Sequence, residues 1–165
     1  MFMPIQERVL LIIDGNNFYH RLQELSLERL LSFDYTRFTK FLTGQRQVMA
    51  CRYYIGAIRE ERGNLKSREL MVGQQKLVGR LQKHGFELCF GHMLKADGYH
   101  EKGVDVQMAV DMLVGAYENL KVRVLGKKVE YIGFSHKPSY ALITHSDIRR
   151  LLTKEEMEQY IITEG

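Results

Sequence analysis

The chain has 165 residues, of which 45% are hydrophobic, and only two are prolines. This length suits one α/β domain over residues 1–165 and is too short for two domains of ordinary size. The 24 Lys and Arg against 20 Asp and Glu give a net charge of +4, a modest bias towards a polyanionic partner. Neither Cys51 nor Cys89 belongs to a metal-ligand spacing, so no zinc site is expected. With no membrane-length apolar run and no signal-like N-terminus, a soluble cytoplasmic protein is predicted.

The first predicted element is the apolar run 9–13, which ends abruptly in Asp14-Gly15-Asn16-Asn17. This pattern predicts a strand that is buried on both faces and runs into a sharp turn. In an open parallel sheet, ligands bind beyond the carboxyl ends of the strands, so Asp14 would lie where chemistry is usual. The alternative is an Asp that caps the helix starting near Asn17. Both interpretations stay open at this point.

The next predicted elements are helical. Over residues 17–31 the apolar spacing is imperfect and breaks near Ser26, which predicts two short helices rather than one. Asp34 can cap a further helix over residues 35–42 that ends near Gly44.

Two further strands are predicted over residues 47–57 and 86–90, with a helix over residues 65–84 between them. Strands that alternate with helices imply a parallel sheet. Residues 91–103 contain three glycines and several charges, so they should form an exposed loop at the same end of the sheet as Asp14. The apolar side of the 65–84 helix is formed by Leu70, Leu77 and Leu81.

The helix that opens at Val104 has apolar residues around most of its axis, so it should be largely buried. Gln107 and Asp111 share its one polar stripe, whereas Asp105 falls in an apolar sector. A carboxylate there needs a partner, which is either the free N–H groups of the first helical turn or a metal ion. For Asp111 the alternative to a functional role is a contact with Gln107 or a neighbouring loop.

These motifs, in this order and spacing, resemble the NYN domain family, the LabA-like branch of the PIN-like nucleases. The resemblance rests on residues 13–17, 102–106 and 109–113, and it extends to residues 126–133 and 139–147. It implies a PIN-like three-layer α/β/α sandwich with a mainly parallel sheet of about four strands. It also implies clustered acidic side chains that bind Mg²⁺ or Mn²⁺ and cleave RNA.

The resemblance also assigns roles to individual residues. It implies that Asp14, Asn17, Asp105 and Asp111 are catalytic, and that the three aspartates among them hold the metal ion. The chemistry agrees, because oxygen ligands suit Mg²⁺, which can stabilise the developing phosphorane and activate water. A phosphotransferase with an aspartyl nucleophile is the weaker alternative, since Asn16 stands where that chemistry usually has a second carboxylate.

The sequence departs from the family after the central helix. Family members usually continue with a strand that ends in a Ser-x-Asp-x-Asp type motif, but here residues 119–125 lead straight into Gly126. The central helix would then continue to about Leu125, and residues 128–134 would form the fourth and last strand. Because few protein ligands hold Mg²⁺ only weakly, a second hypothesis remains, a non-catalytic RNA-binding or regulatory module.

The C-terminal part predicts a short helix over residues 140–144 and a capping box that opens a final helix at Thr153. Asp147 matches a late acidic position of the family, although a capping role explains it equally well. RNA is the expected partner, no membrane is expected, and association into a homodimer is left open. The candidate contacts to RNA phosphates, which could equally belong to an ordinary solvated face, are Lys102, Arg149 and Arg150.

Overall fold

The computed structural model describes residues 7–58, 63–91, 104–118 and 127–162. Within them, strands and helices alternate along the chain. The strands are Arg8–Asp14 (β1), Gln47–Ile55 (β2), Phe86–Phe90 (β3), Glu130–Phe134 (β4) and Ile148–Leu152 (β5). The helices are Gly15–Glu24 (α1), Tyr35–Thr43 (α2), Leu65–Lys83 (α3), Val104–Glu118 (α4), Tyr140–His145 (α5) and Lys154–Glu158 (α6). A short 3₁₀ helix, Leu30–Ser32, lies between α1 and α2.

The strands form two parallel sheets, one in the order β1-β2-β3 and the other a β4-β5 pair. The predicted α/β class, with a mainly parallel sheet and flanking helices, is confirmed. The register pairs Asp14 with Tyr54, and Tyr54 with Cys89. These three residues therefore lie side by side at the carboxyl edge of the larger sheet.

The prediction that residues 128–134 form the last strand is wrong, because β5 follows it and pairs with β4. The two arginines in Ile-Arg-Arg-Leu-Leu break the alternation that normally indicates a strand. Helix α5 connects the two strands and occupies the place predicted for a short helix. The smaller sheet is thus a complete strand–helix–strand unit.

The main core lies on one face of the larger sheet, under α1, α2 and α3. Phe33 is fully buried at its centre, with ring centroids 5.2 to 5.5 Å from Phe38 and Phe18 in edge-to-face geometry. Phe134 of β4 lies 6.0 Å from Phe18, so both sheets share this core. Other members of the core include Leu11, Ile13, Leu22, Tyr35, Tyr53, Leu77, Leu81, Phe86, Leu152, Met157 and Tyr160.

The helix ends follow local signals in the sequence. Asp34 caps α2 by accepting a hydrogen bond from the Arg37 N–H at 3.0 Å, and the predicted capping box at Thr153 is present. The predicted break between two short helices is also confirmed, because Ser26 adopts φ +60° between α1 and the 3₁₀ helix. Gly85, at φ +80°, ends α3 in the left-handed region that favours glycine.

The burial predicted for α4 is wrong. Val106 is 67% exposed, and Val110 and Val114 are also exposed. Among the described residues, α4 packs chiefly against β2. This one contact covers only part of the helix surface, and several of its apolar side chains are left exposed. The predicted continuation of this helix to Leu125 falls outside the described residues.

The apolar side predicted for α3 is correct only in its second half. Leu77 and Leu81 are buried, but Leu70 is 51% exposed. The reason is length, since the 19 residues of α3 span about 28 Å. The five residues of β3 span only about 16 Å, so the first turns of α3 extend past the strand. Within the described ranges, no helix is long and apolar enough to cross a membrane.

Candidate functional site

Asp14 is the last residue of β1 and also caps α1. Its Oδ1 accepts a hydrogen bond from the Asn17 N–H at 3.0 Å, so the capping interpretation is confirmed. No described residue donates a hydrogen bond to Oδ2. The turn is fixed by Gly15, where a Cβ atom would lie 2.6 Å from the Tyr54 carbonyl oxygen. The cap contact and the close approach at Gly15 therefore define the position of Asp14, and one carboxylate oxygen is available to a ligand.

Asp105 lies in the first turn of α4 and is exposed, contrary to the predicted apolar surroundings. The start of this helix packs on Gly91, where a Cβ atom would lie 3.1 Å from the Val104 nitrogen. Gly91 directly follows β3, so α4 begins at the carboxyl edge of the sheet. Asp14, at the end of β1, and Asp105, in the first turn of α4, thus lie at the same edge of the sheet. The side chain of Asn17 is exposed next to Asp14, in the first turn of α1.

Asp111 is placed differently from these two acids. The Tyr54 hydroxyl donates a hydrogen bond to its Oδ2 at 2.7 Å, and Gln107 Nε2 donates to its Oδ1 at 2.8 Å. The predicted contact with Gln107 is confirmed. Six residues of helix separate Asp105 from Asp111, a rise of about 9 Å with a rotation of about 120° around the axis. The structure does not bring these two carboxylates together.

Tyr54 is a site residue that the sequence did not indicate. It is fully buried yet lies outside the main core, on the face of the sheet that α4 covers. Burial and the hydrogen bond to Asp111 raise the pKa of Tyr54 well above its usual range. Its hydroxyl therefore stays protonated and acts as a donor. Burial also raises the pKa of the neighbouring Cys89 thiol.

The predicted ion ligands are carboxylates at the edge of the sheet. In the part of the chain that the structure describes, no three His, Cys, Asp or Glu side chains lie together as ligands for one ion. Asp14 and Asp105 supply oxygen atoms, which are the ligands that Mg²⁺ and Mn²⁺ prefer. Asp147 has a structural contact, because its Oδ2 accepts a hydrogen bond from the Val129 N–H at 2.8 Å.

The predicted phosphate contacts are separated by the fold. Arg149 is exposed on β5, whereas the Arg150 guanidinium stacks 3.8 Å above the centre of the Phe41 ring. Adjacent strand residues point to opposite faces, so the two arginines cannot serve the same surface. Lys102 lies outside the described residues.

A cleft of about 450 Å³ lies at the opposite end of the molecule from Asp14. Its lining includes Glu7 and Arg46, which precede β1 and β2, and Glu130 at the start of β4. Arg46 is fully engaged there, with an ion pair of 2.7 Å to Glu130 and hydrogen bonds to two carbonyl oxygens. The cleft is therefore separate from the acidic edge.

The molecule is an α/β protein whose parallel sheet lies between helices and has Asp14 and the start of α4 at its carboxyl edge. The model of the NYN domain family matches residues 8–125, and the chain belongs to this family. The structure is similar to that of a protein of unknown function from Vibrio parahaemolyticus RIMD 2210633. That likeness has a TM-score of 0.60 and 22% sequence identity, covers 92% of this chain and 96% of the other, and shows the shared fold. No match was found among curated proteins.

Proposed function

We propose that this protein is a metal-dependent ribonuclease that hydrolyses RNA phosphodiester bonds at the edge carrying Asp14 and Asp105. The observation that carries the proposal is the placement of these two carboxylates at the carboxyl edge of one parallel sheet, where α/β proteins bind ligands. Membership of the NYN family supports it. The resemblance adds Asp111 as a third acid.

The residues at this edge suit a divalent ion. Asp14 offers Oδ2 from a backbone turn that the Gly15 contact holds in place, and Asp105 offers an exposed carboxylate. When bound, Mg²⁺ or Mn²⁺ would neutralise charge on the phosphoryl oxygens and lower the pKa of an attacking water. The exposed amide of Asn17 would orient the phosphate or that water. The water oxygen bonds to phosphorus as the bond to the leaving oxygen breaks, and the leaving oxygen takes up a proton.

The experiment is an RNA cleavage assay with a matched pair of variants. Wild type should cut single-stranded RNA with Mg²⁺ or Mn²⁺ and stop when a chelator is added. Asp14→Asn should lower the rate at least about a hundredfold, because the change removes a charge that stabilises the transition state. Asp34→Asn is the control, since Asp34 caps α2 through the same 3.0 Å hydrogen bond but lies away from the acidic edge.

Mn²⁺ should support faster cleavage than Mg²⁺, because it binds more tightly to a site with few protein ligands. Equal losses in Asp14→Asn and Asp34→Asn would show that only helix capping matters, and the proposal would be wrong. The second candidate is the non-catalytic RNA-binding module, which the missing acidic motif after α4 favours. RNA that binds with a steep salt dependence but stays intact with either metal would establish it.

A further inference from the structure

Tyr54 connects the two parts of the acidic edge. Its backbone pairs with Asp14 in the β1-β2 register, and its carbonyl oxygen lies against Gly15 in the turn that holds Asp14. Its side chain points to the opposite face from the core and hydrogen-bonds to Asp111 on α4. Tyr54 therefore contacts both β1, which carries Asp14, and α4, which carries Asp105 and Asp111.

One side of α4 does not help to hold the helix on the sheet. Val106, Val110 and Val114 are exposed, so this side of the helix has no apolar partner among the described residues. Val104 packs against Gly91 at the start of the helix, and about two turns further along the hydrogen bond of 2.7 Å from Tyr54 to Asp111 adds a directional contact. The Tyr54–Asp111 hydrogen bond therefore gives α4 a directional contact with β2 that depends on the rotation of the helix.

We propose that Tyr54 and Asp111 are positioning residues, which hold α4 so that Asp105 stays at the carboxyl edge of the sheet that also carries Asp14. The inference rests on the proposed function, and it gives Asp111 a role different from that of a metal ligand. Both oxygens of Asp111 already accept hydrogen bonds, from Tyr54 and Gln107. Asp111 also lies about 9 Å along the helix from Asp105, too far for both to bind one ion directly.

The test uses two tyrosines that are neighbours on β2. Tyr54→Phe removes only the hydroxyl that contacts Asp111. Tyr53→Phe is the matched control, because Tyr53 is equally buried but its hydroxyl has no hydrogen-bond partner among the described residues. The measurements are Mn²⁺ affinity by electron paramagnetic resonance, and kcat and KM for single-stranded RNA, all on the full chain.

We expect Tyr54→Phe to weaken Mn²⁺ binding and lower kcat by about three- to tenfold, the factor that corresponds to one lost hydrogen bond. KM for RNA should change little, and Tyr53→Phe should behave like wild type. Melting temperatures and circular dichroism of both variants show whether the fold is intact. A loss of activity that follows only the loss of folded protein, with Mn²⁺ affinity unchanged, would overturn the inference.

Asp111→Asn separates positioning from metal ligation. The amide keeps the shape and can still hydrogen-bond with Tyr54, so a positioning role predicts that Asp111→Asn keeps most of the Mn²⁺ affinity that Asp111→Leu loses. If Asp111 were a metal ligand, both variants would remove its charge and lower the Mn²⁺ affinity equally. That result, together with wild-type Mn²⁺ affinity in Tyr54→Phe, would overturn the inference. Wild type that neither binds Mn²⁺ nor cuts RNA would instead overturn the proposed function, and the inference with it.

Discussion

The two faces of the β1-β2-β3 sheet are built from different chemistry, and adjacent tyrosines of β2 show the difference. Tyr53 lies in the aromatic core under α1 and α2, with its ring centroid 6.5 Å from that of Tyr35 and its hydroxyl without a described partner. Tyr54 lies on the other face, where its hydroxyl binds Asp111 of α4. One face is held by apolar burial, and the other depends on directional hydrogen bonds.

The core face of the sheet therefore contributes most of the stability, and the α4 face carries the accessible carboxylates. A close-packed apolar face tolerates little change, because lost contacts and the resulting cavities both lower the free energy of unfolding. A sparsely covered face contributes less to that free energy, but it leaves carboxylates such as Asp105 accessible to solvent. An exposed acid such as Asp105 can therefore be exchanged at small cost in folding, and the buried side chains of the core cannot.

The largest expected effect is a loss of stability on the core face. Leu81→Ala removes a fully buried side chain of α3 and should lower the free energy of unfolding by about 2–5 kcal/mol. Leu70→Ala makes the same change on the same helix at an exposed position, and it should stay within about 0.5 kcal/mol of wild type. Urea unfolding followed by circular dichroism measures both values.

On the α4 face, Val106→Ala should resemble Leu70→Ala rather than Leu81→Ala, since Val106 is 67% exposed. Alanine also has a higher helix propensity than valine, which adds a few tenths of a kcal/mol in favour of the variant. A loss above about 2 kcal/mol at Val106 would indicate that α4 is packed as a core helix. The contrast between the two faces would then be wrong.

The next effect concerns RNA and the two arginines of β5. Arg149 is exposed, so Arg149→Gln should weaken RNA binding and reduce the slope of log affinity against log salt by about 1. The Arg150 guanidinium is stacked on Phe41 and donates to its carbonyl oxygen at 3.4 Å. Arg150→Gln should leave the slope unchanged and instead cost about 0.5–1 kcal/mol of stability. Fluorescence polarisation at several salt concentrations measures the slopes. If Arg150→Gln reduced the slope and Arg149→Gln did not, β5 would bind RNA through the face that packs on Phe41.

The sequence predicted the elements whose signals are local. The abrupt end of the apolar run at Asp14 and the capping pattern at Thr153 each depend on residues within one or two turns. The partnership of Tyr54 and Asp111 could not be predicted in this way, because 57 residues separate them along the chain. The exposure of α4 could not be predicted either, because an apolar helix pattern shows which residues prefer burial and not whether a neighbouring element covers them.

The smallest expected effect tests how α1, on the core face, is tied to the loop after β4. Glu24, the last residue of α1, accepts hydrogen bonds from Arg21 and Lys137, and the His136 Nε2 lies 2.8 Å from its carboxylate. Arg21 first, and then His136 and Lys137, lower the pKa of Glu24 from its ordinary 4.5 to about 2. The folded-state pKa is depressed, so the stabilisation is present above pH 4.5 and is lost as the pH falls towards 2.

Glu24→Gln should therefore be less stable than wild type at neutral pH, and the difference should shrink as the pH falls below that of the unfolded carboxyl. The effect should be modest and should weaken in high salt, because these ion pairs are partly exposed. Glu28→Gln is the control, since Glu28 is exposed and forms no ion pair with any described residue. Urea unfolding over the acid range gives the comparison, and a difference that stays constant down to about pH 3 would mean that packing of the side chain, not its charge, ties α1 to the loop.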